Sequence, residues 1–236
     1  MAFPKRDMQC LILAGGLATR LKPITENIPK GMLPINGKPF LEYQIELLRK
    51  NHITNIVLCI GYKGEMIENY FNDGSSFGVN ISYSREKSLL GTGGAIRNAY
   101  ELLHEKFIIL YGDAYLNVDY QKIINHMDNL LSLALLVVYK NEGSFDTSNV
   151  RFLDDKFIFY DKDNPSDDMQ YIDYGMSILS KSIVDEFIPF NTVYDLADCY
   201  NQLSKNHQLA GLEVFERFYE IGSFSGLEEF KGFIEK

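Results

Sequence analysis

Cysteine is scarce in this chain. Of 236 residues only Cys10, Cys59 and Cys199 carry a thiol, an odd number set far apart with no CxxC among them. That argues against a disulfide framework and a cysteine zinc site, and leaves small buried side chains in a reducing compartment. Histidine is rarer than its uses would need: residues 52, 104, 126 and 207 have no metal-ligand spacing and no Ser/His/Asp constellation, so they are assigned to the surface or to helix termini. Long apolar runs are missing as well. Cys10 to Ala14 is too short for a signal peptide or a membrane span, and no later run reaches membrane length; the expected location is the cytoplasm, with no membrane partner. Positive charge is in deficit, 23 Lys and Arg against 32 Asp and Glu for a net charge of -9, which argues against a nucleic-acid surface. An acidic protein still binds anions where its cations converge on one site.

What remains is ordinary globular material: 46% apolar and 23% charged residues, with 15 tyrosines and 16 phenylalanines available for burial. No linker, internal repeat or low-complexity tract interrupts it. One domain over residues 1–236 is expected, with a first half over 8–140 and a substrate-side lobe over 141–236 built onto the same sheet.

In the first half, apolar runs at Met8–Ala14, Asn55–Tyr62, Val79–Ser84, Phe107–Tyr111 and Ala134–Tyr139 read as strands. They alternate with helical patterns at Phe40–Lys50, Gly64–Phe71, Thr92–His104 and Tyr120–Leu130. That order predicts an α/β fold, a Rossmann-like, mostly parallel mixed sheet covered by helices. Ligands of such sheets sit at the carboxyl ends of the strands, where the loops from Gly15, from Glu86 to Gly94 and at Gly112-Asp113 fall. In the second half the texture shifts to a hairpin, Asn149–Leu153 with Lys156–Tyr160, a strand at Tyr171–Leu179 and another at Leu209–Phe215. Helices are expected at Ser182–Phe187, Tyr194–Lys205 and Ser225–Ile234.

The first loop, Leu13-Ala14-Gly15-Gly16-Leu17-Ala18-Thr19-Arg20-Leu21, follows a buried strand. Glycines there let backbone N–H groups approach a ligand and form a concavity for phosphate oxygens. Arg20 can fork onto phosphate, and Lys30 after Pro29 adds a compact cation. Neither a GxGxxG fingerprint nor a GxxxxGK[ST] P-loop is present. The plain alternative is a tight turn with a solvated arginine.

Leu-Ala-Gly-Gly-x-x-Thr-Arg-Leu, then Pro29-Lys30, Pro34 and Gly37-Lys38-Pro39, resembles the signature of the sugar-1-phosphate nucleotidylyltransferases. Gly91-Thr92-Gly93-Gly94-Ala95 is similar to that family's nucleotide-base loop, Tyr111-Gly112-Asp113 to its metal-binding Gly-Asp, Tyr160-Asp161-Lys162 to its Glu-Lys-Pro motif, and Phe218 to Gly222 to its late Asp-x-Gly motif. Five motifs in the family's order say more than any one. The resemblance is greatest to D-glycero-α-D-manno-heptose 1-phosphate guanylyltransferases; mannose-1-phosphate guanylyltransferases and uridylyltransferases of the family are similar. Departures are Ala18 where many relatives have Gly, Gly31 where Pro is common, Asp161 for Glu, Asp163 for Pro, and Glu220 for Asp.

The resemblance implies a nucleoside triphosphate and a sugar 1-phosphate as partners, a magnesium ion as cofactor, and the following roles. Leu13, Ala14, Gly15, Gly16 and Thr19 hold the nucleotide with Gly91 and Thr92. Arg20 and Lys30 face the leaving pyrophosphate. Asp113, at the end of a buried strand, and Glu220 hold the metal, since magnesium takes one or two carboxylates with phosphate oxygens and water. Lys162 holds the sugar phosphate, with Asn149, Asp161 and Gly175 toward the sugar. Glu86 can accept both N1–H and N2–H of guanine, which favours GTP. Plainer readings stand beside these: a turn aspartate at 113, an Arg217 partner at 220, a solvated hairpin end at 161, a Lys87 ion pair at 86. Rival classes are a glycosyltransferase, for which Asp161-Lys162-Asp163 would be a DxD, and a non-catalytic nucleotide-sugar sensor. Assembly with further copies of the chain is left open.

Overall fold

A computed structural model describes residues 8–16, 19–130 and 132–235; Leu17 and Ala18 of the first loop, with the question of whether Ala18 crowds a phosphate, lie outside them. The chain opens with β1 (Gln9–Leu13), then a small hairpin of β2 (Pro34–Ile35) and β3 (Lys38–Pro39) that delivers α1 (Phe40–Lys50). There follow β4 (Asn55–Ile60), α2 (Gly64–Phe71), β5 (Asn80–Arg85), α3 (Gly91–Asn98), β6 (Lys106–Tyr111), β7 (Ala114–Leu116), α4 (Tyr120–Leu130) and β8 (Ala134–Lys140). The rest comprises β9 (Val150–Phe152), β10 (Ile158–Tyr160), β11 (Tyr171–Ser180), α5 (Lys181–Phe187), α6 (Leu196–Lys205), β12 (Ala210–Val214), β13 (Phe218–Glu220) and α7 (Phe224–Ile234).

The central sheet runs β10-β9-β11-β6-β1-β4-β5, with β8 on β11 and β12 on β8. Strands β6, β1, β4 and β5 are mutually parallel. The long β11 is antiparallel to both β6 and β8 and carries the sheet into its second part. Period-two alternation sorts the side chains. Cys10, Ile12, Ile56, Leu58, Ile108 and Leu110 point to one face, where they pack with residues of α1, α2, α4 and α7. Leu11, Val57, Cys59, Phe107 and Ile109 point to the other, under α3, α5 and α6. Strands buried on both faces explain why β1, β4 and β6 read as continuous apolar runs. All three cysteines are buried and unpaired. Among the described residues no helix is long and apolar enough to cross a membrane.

Several expected elements differ at their ends. The helix expected over Thr92–His104 stops at Asn98 and tightens into a 3-10 turn at Tyr100–Leu102; the Asn98 amide is held by Ser84 and by the carbonyl of Arg85. The helix expected from Tyr194 begins at Leu196, because Asp195 caps it by accepting the Ala197 N–H. Two short pairings had no counterpart in the sequence reading: the β2–β3 hairpin, turned by Asn36 and Gly37 at positive φ, and a separate ribbon of β7 with β13.

Candidate active site

The carboxyl ends of β1, β5 and β6 open onto one cavity of about 260 Å³, bordered by Leu13 to Gly16, Lys30, Glu86, Gly91, Thr92 and Tyr111 to Asp113. Its floor needs small residues. A Cβ on Gly112 would stand 2.6 Å from the Leu13 carbonyl oxygen, and one on Gly15 would stand 3.0 Å from Glu86 Oε1, while Gly16 has open space around it. The Ala14 N–H donates to the Cys59 carbonyl at 2.9 Å. Ala14 therefore borders the cavity with its own N–H committed to the neighbouring strand, leaving Gly15, Gly16 and the turn beyond for any phosphate. Thr19 and Arg20 lie in that turn, a 3-10 segment over Thr19–Leu21, with Arg20 exposed.

A carboxylate pair stands at the β6 end. Lys30, in the 3-10 turn Lys30–Met32 behind Pro29, places its ammonium 2.8 Å from Asp113 Oδ2. Glu220 reaches the same place by a route sequence proximity cannot show. The β7–β13 ribbon pairs Glu220 with Ala114, and the Ile221 N–H donates to the Asp113 carbonyl at 2.9 Å. A Cβ on Gly222 would lie 3.7 Å from Asp113 Oδ2 and 3.7 Å from Glu220 Oε2, so that glycine keeps clear a space that both carboxylates border. Desolvation and the neighbouring Asp113 hold the Glu220 carboxyl above its ordinary range, opposed by Arg20 and Lys30. Arg217, the competing partner for Glu220, pairs with Glu229 instead. Two carboxylates and no third His, Cys, Asp or Glu among the described residues suit a hard divalent cation that completes its shell with phosphate oxygens and water.

Glu86 is half-buried at the far wall. Its Oε2 accepts the Leu90 N–H at 3.1 Å, and desolvation raises its carboxyl against that bond. The second glycine loop behaves unlike the first. Gly91 sits at φ +74°, and a Cβ there would come 2.5 Å from the Tyr194 carbonyl oxygen; one on Gly93 would come 2.6 Å from the Tyr194 ring. Gly93 and Gly94 both donate N–H to that carbonyl. Thr92 borders the cavity, yet its hydroxyl donates to Asp195 Oδ1 and accepts the Leu196 N–H, each at 2.8 Å. Its side chain thus clasps the start of α3 to the start of α6 at the border of the cavity.

The sugar-side candidates do not border the cavity, although Gly175 packs near Tyr111, which does. Lys162 is exposed and lies 3.3 Å from Asp195 Oδ2. Asp161 Oδ1 accepts the N–H groups of Asp163 and Asn164, so that oxygen serves the hairpin turn, and Asp161 to Asn164 border a surface pocket with Asp198 and Asn201. The Asn149 backbone joins Tyr171 and Asp161, while its Oδ1 is buried without a hydrogen-bond partner. Gly175, at φ +94° in the bulge of β11, packs near Tyr111 and Ala114. Two carboxylates here escaped sequence reasoning. Asp173 accepts the Gly175 N–H at 2.8 Å; desolvation pushes its carboxyl up to about 6, against that bond, Lys162 and Tyr111. Asp195 falls in the first turn of the helix expected over Tyr194–Lys205. Only the polar start of a helix beside Thr192 and Tyr194 could have signalled a cap. Lys38, near the first loop in sequence, is turned away to Glu42 and Glu46.

Comparison with known proteins identifies the family to which the chain belongs. A nucleotidyl transferase family model matches residues 9–145. The chain is 39% identical over 181 residues to the D-glycero-alpha-D-manno-heptose 1-phosphate guanylyltransferase of Campylobacter jejuni, covering 76% of this chain and 79% of that protein. It is 31% identical over 206 residues to a UTP--glucose-1-phosphate uridylyltransferase of Synechocystis, covering 80% of this chain and 53% of that protein, so it spans about half the length of that relative. Among solved structures, HddC from Yersinia pseudotuberculosis complexed with GMP-PN superposes with a TM-score of 0.77 at 26% identity, over 96% of this chain and 99% of that one.

Proposed function

From the chain's membership of the nucleotidyl transferase family, we propose that it is a sugar-1-phosphate guanylyltransferase acting on a heptose 1-phosphate. The convergence of Lys30, Asp113 and Glu220 at the end of β6, beside a glycine-floored cavity, is the observation that carries the reading. A sugar-phosphate oxygen attacks the α-phosphorus of GTP, the bond from that phosphorus to the bridging oxygen breaks, and pyrophosphate leaves. No protein nucleophile is needed; both substrates are anions, and what the reaction demands is alignment and neutralisation.

Gly15, Gly16 and the Thr19–Arg20 turn cradle the triphosphate, with Lys30 and Arg20 on the departing pyrophosphate. Lys162 holds the sugar phosphate. Asp113 and Glu220 are the residues that would hold magnesium, which supplies charge stabilisation to the phosphates when bound. Glu86 supports guanine, since a carboxylate at the cavity wall can accept two adjacent donors. The names of the Campylobacter relative and of the HddC complex support the same base and, for the former, the same sugar. A glycosyltransferase role for Asp161-Lys162-Asp163 gains little support from an Asp161 oxygen committed to its own turn.

The test is a panel of four nucleoside triphosphates against heptose, mannose, glucose and amino-sugar 1-phosphates with magnesium, scored by pyrophosphate release. GTP with heptose 1-phosphate is expected to be fastest. Faster release with UTP, or with another sugar, reassigns the base or the sugar; no release from any pair overturns the reaction.

A further inference from the structure

Asp195 carries more contacts than a helix cap requires. Capping α6 takes one oxygen, and asparagine, serine or threonine does it about as well. Here Oδ1 accepts both the Ala197 N–H at 3.1 Å and the Thr92 hydroxyl at 2.8 Å, while Oδ2 faces the Lys162 ammonium at 3.3 Å. The Thr92 hydroxyl in turn accepts the Leu196 N–H. One carboxylate thus joins three pieces of chain more than thirty residues apart: the turn that borders the nucleotide cavity, the start of α6, and the hairpin end bearing Lys162. Burial would raise this carboxyl, but the Ala197 N–H, Thr92 and Lys162 outweigh it, and the group stays ionised below its ordinary range.

We propose that Asp195 is a positioning residue for the transfer, holding the Lys162 ammonium in register with the nucleotide cavity through Thr92. The proposal rests on Lys162 being the group that receives the sugar phosphate. Lys162 is exposed, with a long flexible stem; unheld, its ammonium samples positions off the line of attack, and a misplacement of about 1 Å costs on the order of 10²-fold in rate. A carboxylate 3.3 Å from the Lys162 ammonium also offsets part of the charge that draws the sugar phosphate. Its loss should therefore cost turnover without weakening sugar-phosphate binding.

Asp195→Asn separates the roles, because the amide oxygen still caps α6 and still accepts from Thr92 while the charge facing Lys162 is gone. With nucleotide saturating, kcat should fall ~10-fold while KM for the sugar 1-phosphate does not rise, and Tm should stay within about 3 °C of the parent. In a Lys162→Ala background the same change should cost less than about twofold, since a residue acting through Lys162 has nothing left to position. Equal costs in both backgrounds, an unchanged kcat, or a Tm loss well beyond that range would each overturn the positioning role and leave the guanylyltransferase reading intact. A parent protein that releases no pyrophosphate overturns both.

Discussion

Two glycine clusters border one cavity, the loop at Gly15-Gly16 and the first turn of α3 from Gly91, and they resemble one another far more in sequence than in use. Around Gly15 and Gly16 the absent side chains leave room at the open end of β1, and a Cβ on Gly16 would meet nothing among the described residues. Around Gly91, Gly93 and Gly94 the absent side chains admit the protein's own backbone, the carbonyl of Tyr194, to which two of those glycines donate. A glycine cluster beside a nucleotide site is thus evidence of close approach, but the approaching group can be a ligand or another loop. On the proposed reading the first loop is a surface for an anion, whereas the second cluster is a joint that fixes α3 against α6.

The contrast is sharpest where the first loop meets charge. Lys30→Ala and Asp113→Ala should each lower turnover by ~10²–10³, read by pyrophosphate release, while circular dichroism stays that of the parent. Parental rates in both variants would break the assignment of that side to catalysis. The second loop should respond in the opposite currency of structure. Gly91→Ala forces a side chain into a left-handed conformation and against the Tyr194 carbonyl, a cost of about 1–3 kcal/mol, or ~2–12 °C in Tm for a chain of this size. Gly16→Ala, placed in open space, should leave Tm unchanged and slow turnover only. Equal Tm losses in the two variants would erase the distinction between loops.

A smaller effect tests the sugar side. Asp173 has its carboxyl raised to about 6 from 3.8. A raised carboxyl means the folded protein holds its proton more tightly, so this group's contribution to stability is present below the unfolded pKa and is lost as pH rises through about 6. Asp173→Asn, which keeps an acceptor for the Gly175 N–H, should therefore match the parent in Tm near pH 4 and exceed it by a few degrees near pH 7. A Tm difference that does not change with pH would sink the assignment.

Most of the parallel part was legible because local pattern and tertiary burial agree there. The extents Phe40–Lys50, Gly64–Phe71 and Tyr120–Leu130 come directly from helical spacing. β1, β4 and β6 are apolar because both of their faces are covered. The β7–β13 ribbon was not legible. Three residues are too few for periodicity, and Ala114 meets Glu220 only through the fold. The same limit hid Asp195, whose partners Thr92 and Lys162 lie far off in sequence. Lys30 and Asp113 were accessible from motif chemistry, and their ion pair brings them together. Thr92 and Ala14 border the cavity, but the partners of the Thr92 hydroxyl and the Ala14 amide could not be read from a motif, which names a location and not the direction in which a group points.

The β7–β13 ribbon has a mechanical consequence. Asp113 immediately precedes β7, Glu220 closes β13, and the bond from the Ile221 N–H to the Asp113 carbonyl locks the two ends together. Both carboxylates therefore ride on one small brace. Breathing of the wider sheet can carry that brace up or down, but it moves the pair as a unit, like the jaws of a caliper set to one gap.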